Sequence, residues 1–285
     1  MQYNYLTTVA IDTFIDHALA EDVGDGDHTS LASIPEGQQG KAQLILKDTG
    51  VLAGVELASR IFERIDPTLH VTLNMKDGDS FEPGQIALTV SGSVHSILLA
   101  ERLVLNTMQR MSGIASYTHD LQSLIAHTKA KVLDTRKTTP NFRMMEKWAV
   151  QIGGGVNHRY GLFDMILLKD NHVDFSGGIK NALENSKAYI KKTGRDLKIE
   201  IETRSIAEVK EALLEGGAFR IMLDNMSPVL MKEAVALIKG KAETEASGGI
   251  NEHTIVAVAE SGVDYISIGS LSHSYKSKDM SLKAF

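Results

Sequence analysis

From Ala130 onward the chain follows one pattern. The β-rich runs KVLD, MILL, KIEIE, FRIML, AETEAS and YISIG are separated by the helical runs FRMMEKWAVQI, IKNALENSKAYIKK, IAEVKEALLEG, PVLMKEAVALIK and NEHTIVAVAES. Strands that alternate with helices are joined by crossovers, so they run parallel in one sheet. The residues closing the strands are, in order, Asp134/Arg136/Lys137, Lys169/Asp170, Glu202, Asp224/Asn225, Ser247/Gly248/Gly249 and Gly269/Ser270. A (β/α) barrel brings all such ends to one face, where barrel enzymes place their active sites. An open doubly wound sheet uses only the ends at its switch point. Since every end here is polar or glycine-rich, the expected architecture is α/β with a barrel. Only six strands are evident, so the barrel is expected to be incomplete or to borrow a segment from the helical region before it.

The preceding half reads differently. Apolar residues at helical spacing over 8–20 predict a helix that ends at Gly24 and Gly26. In EDVGDGDHTS, Asp22, Asp25 and Asp27 resemble a calcium loop in composition, but the ligand spacing, loop glycine and terminal Glu do not fit, so a structural turn is expected. KAQLILKD, HVTLNM and QIALTVSG read as strands, with VELASRIFERI as a helix among them. Residues 97–128 form a long helical stretch, expected to break near Ser112-Gly113. Arg102 and Arg110 lie in it and, without other information, read as solvated helix charges.

The stretch from Asp134 to His172 carries six Lys/Arg against four acids, a balance of +2 within a 285-residue chain of −6. Cations gathered inside an acidic protein do not suit nucleic acid, which needs a broad basic face; they suit a small anionic ligand. The absence of Cys excludes disulfides, thiolate catalysis and Cys-based metal sites. No apolar run reaches membrane-spanning length, and the N-terminus has acids where an export signal would have basic residues, so the cytoplasm is the expected location.

SGGI and IGSLSHS close the last two strands, where glycines and serines let backbone N–H groups approach an anion; in barrels this is the place of a phosphate. Glu202 and Asp224 would hold ribose hydroxyls or Mg²⁺ at a polyphosphate, or else pair with Arg136, Lys137 or Lys169. His158 reads equally as a ligand group and as a cap or core histidine. The triple glycine of GGGVNHR follows a helix, so it lacks the strand-turn-helix context of a dinucleotide fingerprint.

Taken in order, DTRKTTP, GGGVNHRYGLFDMILLKDNH, IEIET, IMLDN, SGGI and GVDYISIGSLSHS resemble the quinolinate phosphoribosyltransferase family, the carboxylating nicotinate-nucleotide pyrophosphorylases. EDVGDGDHTS, VLAGVE and ERLVLNTMQRMSGIAS extend the resemblance over nearly the whole chain. It implies an N-terminal α/β sandwich domain over residues 1–112, joined by the tail 271–285, and an open, incomplete (β/α) barrel over 113–270. The implied reaction joins quinolinate to phosphoribosyl pyrophosphate, yielding nicotinate mononucleotide, pyrophosphate and CO₂ in NAD biosynthesis, with Mg²⁺ required. The resemblance puts Arg136, Thr138, His158, Arg159 and Lys169 on substrate-binding positions, with Lys137, Glu202 and Asp224 as the catalytic set. Glu202 and Asp224 fall on the acids near ribose and magnesium. Ser247, Gly248, Gly249, Gly269 and Ser270 fall on the 5′-phosphate site. Arg102 falls on the arginine that the neighbouring subunit supplies, which implies a homodimer and leaves a higher oligomer open. No nucleic-acid or membrane partner is implied. Asn141, Phe142 and His28 depart from the common pattern without replacing a catalytic group.

Two other readings stand beside this one. A family relative in molybdenum-related metabolism generally lacks the full NHR and LLKDNH cation set, which is intact here. A non-catalytic protein that keeps the phosphate cradle has no reason to keep Lys137, Glu202 and Asp224 together.

Overall fold

The computed structural model describes residues 4–285. Helices α1 (Thr8–Val23) and α2 (His28–Ser33) lead into β1 (Gln39–Leu46), β2 (Gly50–Val51), α3 (Val55–Ile65), β3 (His70–Leu73), β4 (Ser80–Phe81) and β5 (Ile86–Ser93). There follow α4 (Val94–Leu124), β6 (Lys131–Leu133), α5 (Arg143–Ile152), β7 (Ile166–Leu168), α6 (Asp170–Ser176), α7 (Ile179–Thr193) and β8 (Ile199–Thr203). The chain closes with α8 (Ile206–Glu215), β9 (Arg220–Asp224), α9 (Pro228–Ile238), β10 (Glu243–Ser247), α10 (Ile255–Ala259), β11 (Tyr265–Ser267), α11 (Ser270–His273) and β12 (Met280–Ala284). No described helix is long and apolar enough to cross a membrane.

Two compact units result. One comprises residues 4–119 together with 138–154 and 271–285; the other comprises 120–137 and 155–270. In the first, an antiparallel sheet has the order β12-β1-β5-β3. Leu44 pairs with Leu88 on one side and Leu282 on the other, so a buried leucine stripe crosses three strands, and the C-terminal tail is one of them. α3 buries Val55, Leu57, Ala58, Ile61 and Phe62. Its Arg60 and Arg64 meet Asp12 and Asp16 of α1, each pair four residues apart on its own helix. The acidic turn proves structural: Asp27 caps α2 by accepting from the Ser30 N–H at 3.1 Å.

α4 corrects the expectation of a break, because it runs unbroken through Ser112-Gly113. Ser112 Oγ accepts from the Ala53 N–H at 2.9 Å. A Cβ on Gly113 would lie 2.4 Å from the Lys276 carbonyl oxygen, so the glycine marks a close backbone approach and no interruption.

In the second unit all six strands run parallel in the order β6-β11-β10-β9-β8-β7. β6 and β7 are consecutive in the chain yet form the two edges, so the barrel is open between them. Val156 lengthens the sheet beside β6 by a single bridge, donating to Val132 O at 2.8 Å and accepting from Asp134 N at 3.1 Å. The crossover helices are punctuated as their sequences demand: Ser205 and Ser227 cap α8 and α9, Pro228 opens α9, and Gly194 closes α7 in a left-handed conformation.

Candidate active site

The strand ends place most of the predicted residues in the barrel unit. Asp134, just beyond β6, is buried and accepts from the His158 N–H at 2.7 Å and from Asn157 Nδ2 at 2.6 Å. This ties the TRKT segment to the NHR segment. Arg136 is half-buried and Lys137 exposed, and the Lys137 N–H is held by Thr135 Oγ1 at 3.0 Å. Arg159 donates through Nη1 to the Met165 carbonyl at 3.1 Å. Burial first, and then the charge of Arg136, lower the pKa of the Arg159 guanidinium, so these two cations act on one another.

After β7, Lys169 points Nζ to 3.3 Å from Glu202 Oε2. The Glu202 carboxyl is pushed up from its usual value by burial, with Lys169 opposing and Asp224 adding to the rise. The ion-pair alternative for Glu202 is therefore met through Lys169, and the proximity to Asp224 holds as well. Asp224 Oδ2 accepts from Asn225 Nδ2 at 2.7 Å. Asn225 has φ of 53° and donates its N–H to Ser247 O at 2.9 Å. A Cβ on Gly248 would fall 2.2 Å from Asn225 Oδ1, and its φ is +104°, so only glycine fits this turn. Gly249 also has positive φ, +62°, and Gly269 and Ser270 stand where β11 passes into α11.

Thr138 and Arg102 fall in the other unit. Thr138 Oγ1 accepts from Arg143 Nε at 2.9 Å, and Arg102 is exposed on α4. Arg110 is no solvated charge, which corrects its expectation. Its Nε donates to Glu146 Oε1 at 3.2 Å, and its guanidinium stacks on Phe142 and Tyr275. Glu146, buried on α5, also accepts the Thr139 N–H at 3.1 Å.

Sequence reasoning missed one group entirely. His158 has the buried ring of its core reading, but in polar surroundings: its Nε2 lies 3.2 Å from Glu200 Oε2 and 3.5 Å from Glu245 Oε2. Arg220 Nη1 approaches the same carboxylates at 3.6 and 3.1 Å. Both carboxylates are fully buried. This His-Glu-Glu set has the spacing of a metal site, but the guanidinium already supplies the positive charge.

Burial opposes charge on the imidazole, yet Glu245 and Glu200 outweigh it and push its pKa up to about 9. The other ring nitrogen, Nδ1, accepts the Arg159 N–H at 2.6 Å. Burial first, and then the neighbouring Glu245, push the Glu200 carboxyl up to about 7. A signal existed in the alternation of KIEIE and AETEAS, where acids recur every second residue in strands that should be apolar on both faces.

Comparison with known proteins agrees with the architecture. The description "Quinolinate phosphoribosyl transferase, C-terminal domain" matches residues 114–283, and the corresponding N-terminal domain matches 27–112. The chloroplastic carboxylating nicotinate-nucleotide pyrophosphorylase of Arabidopsis thaliana is 46% identical, over 97% of this chain and 83% of that one. A probable carboxylating nicotinate-nucleotide pyrophosphorylase of Bacillus subtilis is 39% identical, over 94% of this chain and 91% of the other. The structure of the Francisella tularensis nicotinate-nucleotide pyrophosphorylase superposes with a TM-score of 0.92 at 35% identity, covering 100% of this chain and 99% of that one. With both domain descriptions matched in order and relatives of this identity along almost its full length, the chain belongs to the quinolinate phosphoribosyltransferase family.

Proposed function

We propose that this chain transfers the phosphoribosyl group of phosphoribosyl pyrophosphate to the ring nitrogen of quinolinate, with loss of CO₂, giving nicotinate mononucleotide for NAD biosynthesis. The observation that carries this reading is the arrangement of charge at the strand ends. Arg136 and Arg159 stand close enough to perturb one another, while Lys169 sets a cation against Glu202 with Asp224 beside it. Quinolinate has two adjacent carboxylates and needs clustered cations; a pyrophosphate donor needs cations and acids together.

In this reading Arg136, Arg159, Lys169, Thr138 and His158 bind and orient quinolinate. Ser247, Gly248, Gly249, Gly269 and Ser270 receive the 5′-phosphate. Glu202 and Asp224, two acids on adjacent strands that feel each other's charge, fit the donor set magnesium takes beside phosphate oxygens. Bound there, Mg²⁺ would neutralise charge on the pyrophosphate.

The pyridine nitrogen forms a bond to the anomeric carbon as the C–O bond to pyrophosphate breaks, and Lys137 supports the charge that develops. Ribosylation leaves the ring nitrogen cationic. Its positive charge stabilises the electron pair that stays on ring carbon 2 when the 2-carboxylate departs as CO₂, and that carbon then takes up a proton. Arg102 would complete the carboxylate clamp from the partner of a homodimer, and the cytoplasm is the proposed location.

The purified protein incubated with quinolinate, phosphoribosyl pyrophosphate and Mg²⁺ should release nicotinate mononucleotide and CO₂ in equal amounts. Nicotinate, which lacks the 2-carboxylate, should be a very poor substrate, because the cations meant for that group would stay unpaired. No product from quinolinate, or comparable turnover of nicotinate, would refute the reading.

A further inference from the structure

Glu200 and Glu202 lie two residues apart on β8, and Glu245 and Ser247 two apart on β10, so each pair shares a face of the sheet. Glu200 and Glu245 therefore form a layer of the barrel immediately below the strand-end site. Such layers are ordinarily filled by Val, Ile and Leu. Here the layer holds two fully buried carboxylates, the His158 ring and the Arg220 guanidinium, an arrangement that breaks the local rule at the floor of a site.

His158 is met by protein groups at its backbone N–H and at both ring nitrogens. Its N–H goes to Asp134 Oδ1 at 2.7 Å, its Nδ1 receives the Arg159 N–H at 2.6 Å, and its Nε2 faces the two carboxylates. Rotation of the ring would break the Arg159 contact, and movement of the Arg159 backbone would displace the ring. Arg159 is fixed at its far end by the Met165 carbonyl. The orientation of one binding cation thus runs back through an imidazole to the barrel floor.

We propose that Glu245 and Glu200 are positioning residues for quinolinate recognition, acting through the His158 ring to hold Arg159 in its binding orientation. Neither acid is assigned contact with substrate. The inference rests on the site reading above for His158 and Arg159.

Steady-state kinetics on the full chain test it. Glu245→Gln, similar in shape but uncharged, should raise KM for quinolinate by about 10-fold or more, with kcat and KM for phosphoribosyl pyrophosphate within about 3-fold. Glu243→Gln is the control, because Glu243 holds Arg220 at 2.8 Å but makes no contact with His158; it should leave KM for quinolinate unchanged. In a His158→Ala background, Glu245→Gln should add less than about 2-fold, since residues acting through one another are not additive.

Equal effects from Glu243→Gln and Glu245→Gln, or effects of Glu245→Gln and His158→Ala that multiply, would overturn the proposal. If Glu245→Gln does not fold, Glu200→Gln takes the carboxylate charge out of the 3.2 Å contact and is held to the same criteria. Arg159→Ala separates the two levels. A quinolinate KM unmoved in Arg159→Ala would sink the site reading and this inference with it, whereas a raised KM there beside normal Glu245→Gln kinetics would sink this inference alone.

Discussion

Lys169 Nζ stands 3.3 Å from Glu202 Oε2, an exposed ammonium just after β7 set against a carboxylate buried at the end of β8. An exposed partner adds little stability to such a pair, about 0–1 kcal/mol. A binding role is the better reason for a lysine there. Lys169→Met should therefore raise KM for quinolinate by about 10-fold or more while kcat stays within about 3-fold, the signature of lost uniform binding. An unchanged quinolinate KM would leave Lys169 as a counter-charge for Glu202 only.

Lys137 is exposed, and its backbone N–H is held by Thr135 Oγ1 at 3.0 Å, which places the segment. If its charge serves the leaving pyrophosphate, Lys137→Ala should lower kcat by roughly 10²–10³-fold with a much smaller change in KM. A change confined to KM would make it a binding residue.

Glu202 and Asp224 act on each other electrostatically across adjacent strands. Glu202→Ala and Asp224→Ala should each weaken phosphoribosyl pyrophosphate and move the Mg²⁺ concentration needed for half-maximal rate upward by about 10-fold. Titrating the rate against magnesium reads this directly. Unchanged magnesium dependence in both variants would remove these acids from the metal or ribose site.

The strand ends were legible because a parallel strand's last residues escape the apolar requirement that governs its middle. The helix VELASRIFERI was legible to the residue, as α3, because its apolar spacing is strong. The polar floor was not. Periodicity shows that Glu200 and Glu202 share a face, but not that Arg220, Glu245 and His158 come to meet Glu200 there. Arg110 failed for the same reason: its partner Glu146 lies on another helix, and helical spacing says nothing about distant partners. Gly113 misled in the opposite sense, since a helix breaker in the sequence served close packing against Lys276.

Asp264 gives a pH test away from the site. Its Oδ2 accepts from Thr244 N–H at 2.8 Å and Thr244 Oγ1 at 2.7 Å, and its Oδ1 from Lys129 Nζ at 2.6 Å. Burial pushes its carboxyl up, but the bonds and charge of Lys129 and Thr244 outweigh this and hold it below the usual carboxylate value. A depressed carboxyl contributes stability at pH above its unfolded pKa of about 3.9, and loses that contribution as pH falls through the folded value. Asp264→Asn should cost about 1–2 kcal/mol at neutral pH. That is a fall in Tm of several degrees, and the gap from the unmodified protein should narrow below about pH 4. A gap independent of pH would assign the loss to shape instead of charge.

Arg102 lies exposed on α4, eight positions before Arg110, and the two arginines have different fates. Arg110 is occupied by Glu146 and two aromatic rings. The side chain of Arg102 reaches outward from a helix whose Val104, Leu105 and Met108 are buried. An outward guanidinium of this kind can serve a neighbouring subunit's site, and in a two-fold dimer the service would be reciprocal. A surface charge with no such role would instead change stability by less than about 0.5 kcal/mol and leave activity intact when removed. Mixing separates the two. Arg102→Ala and Lys137→Ala should each be nearly inactive alone. After co-refolding, a mixed dimer holds one site with both lesions and one with neither, so random pairing restores about a quarter of all sites. Subunit exchange confirmed by differently tagged chains, without recovery of activity, would place Arg102 in its own subunit's site. An active Arg102→Ala homodimer would leave it as a surface charge.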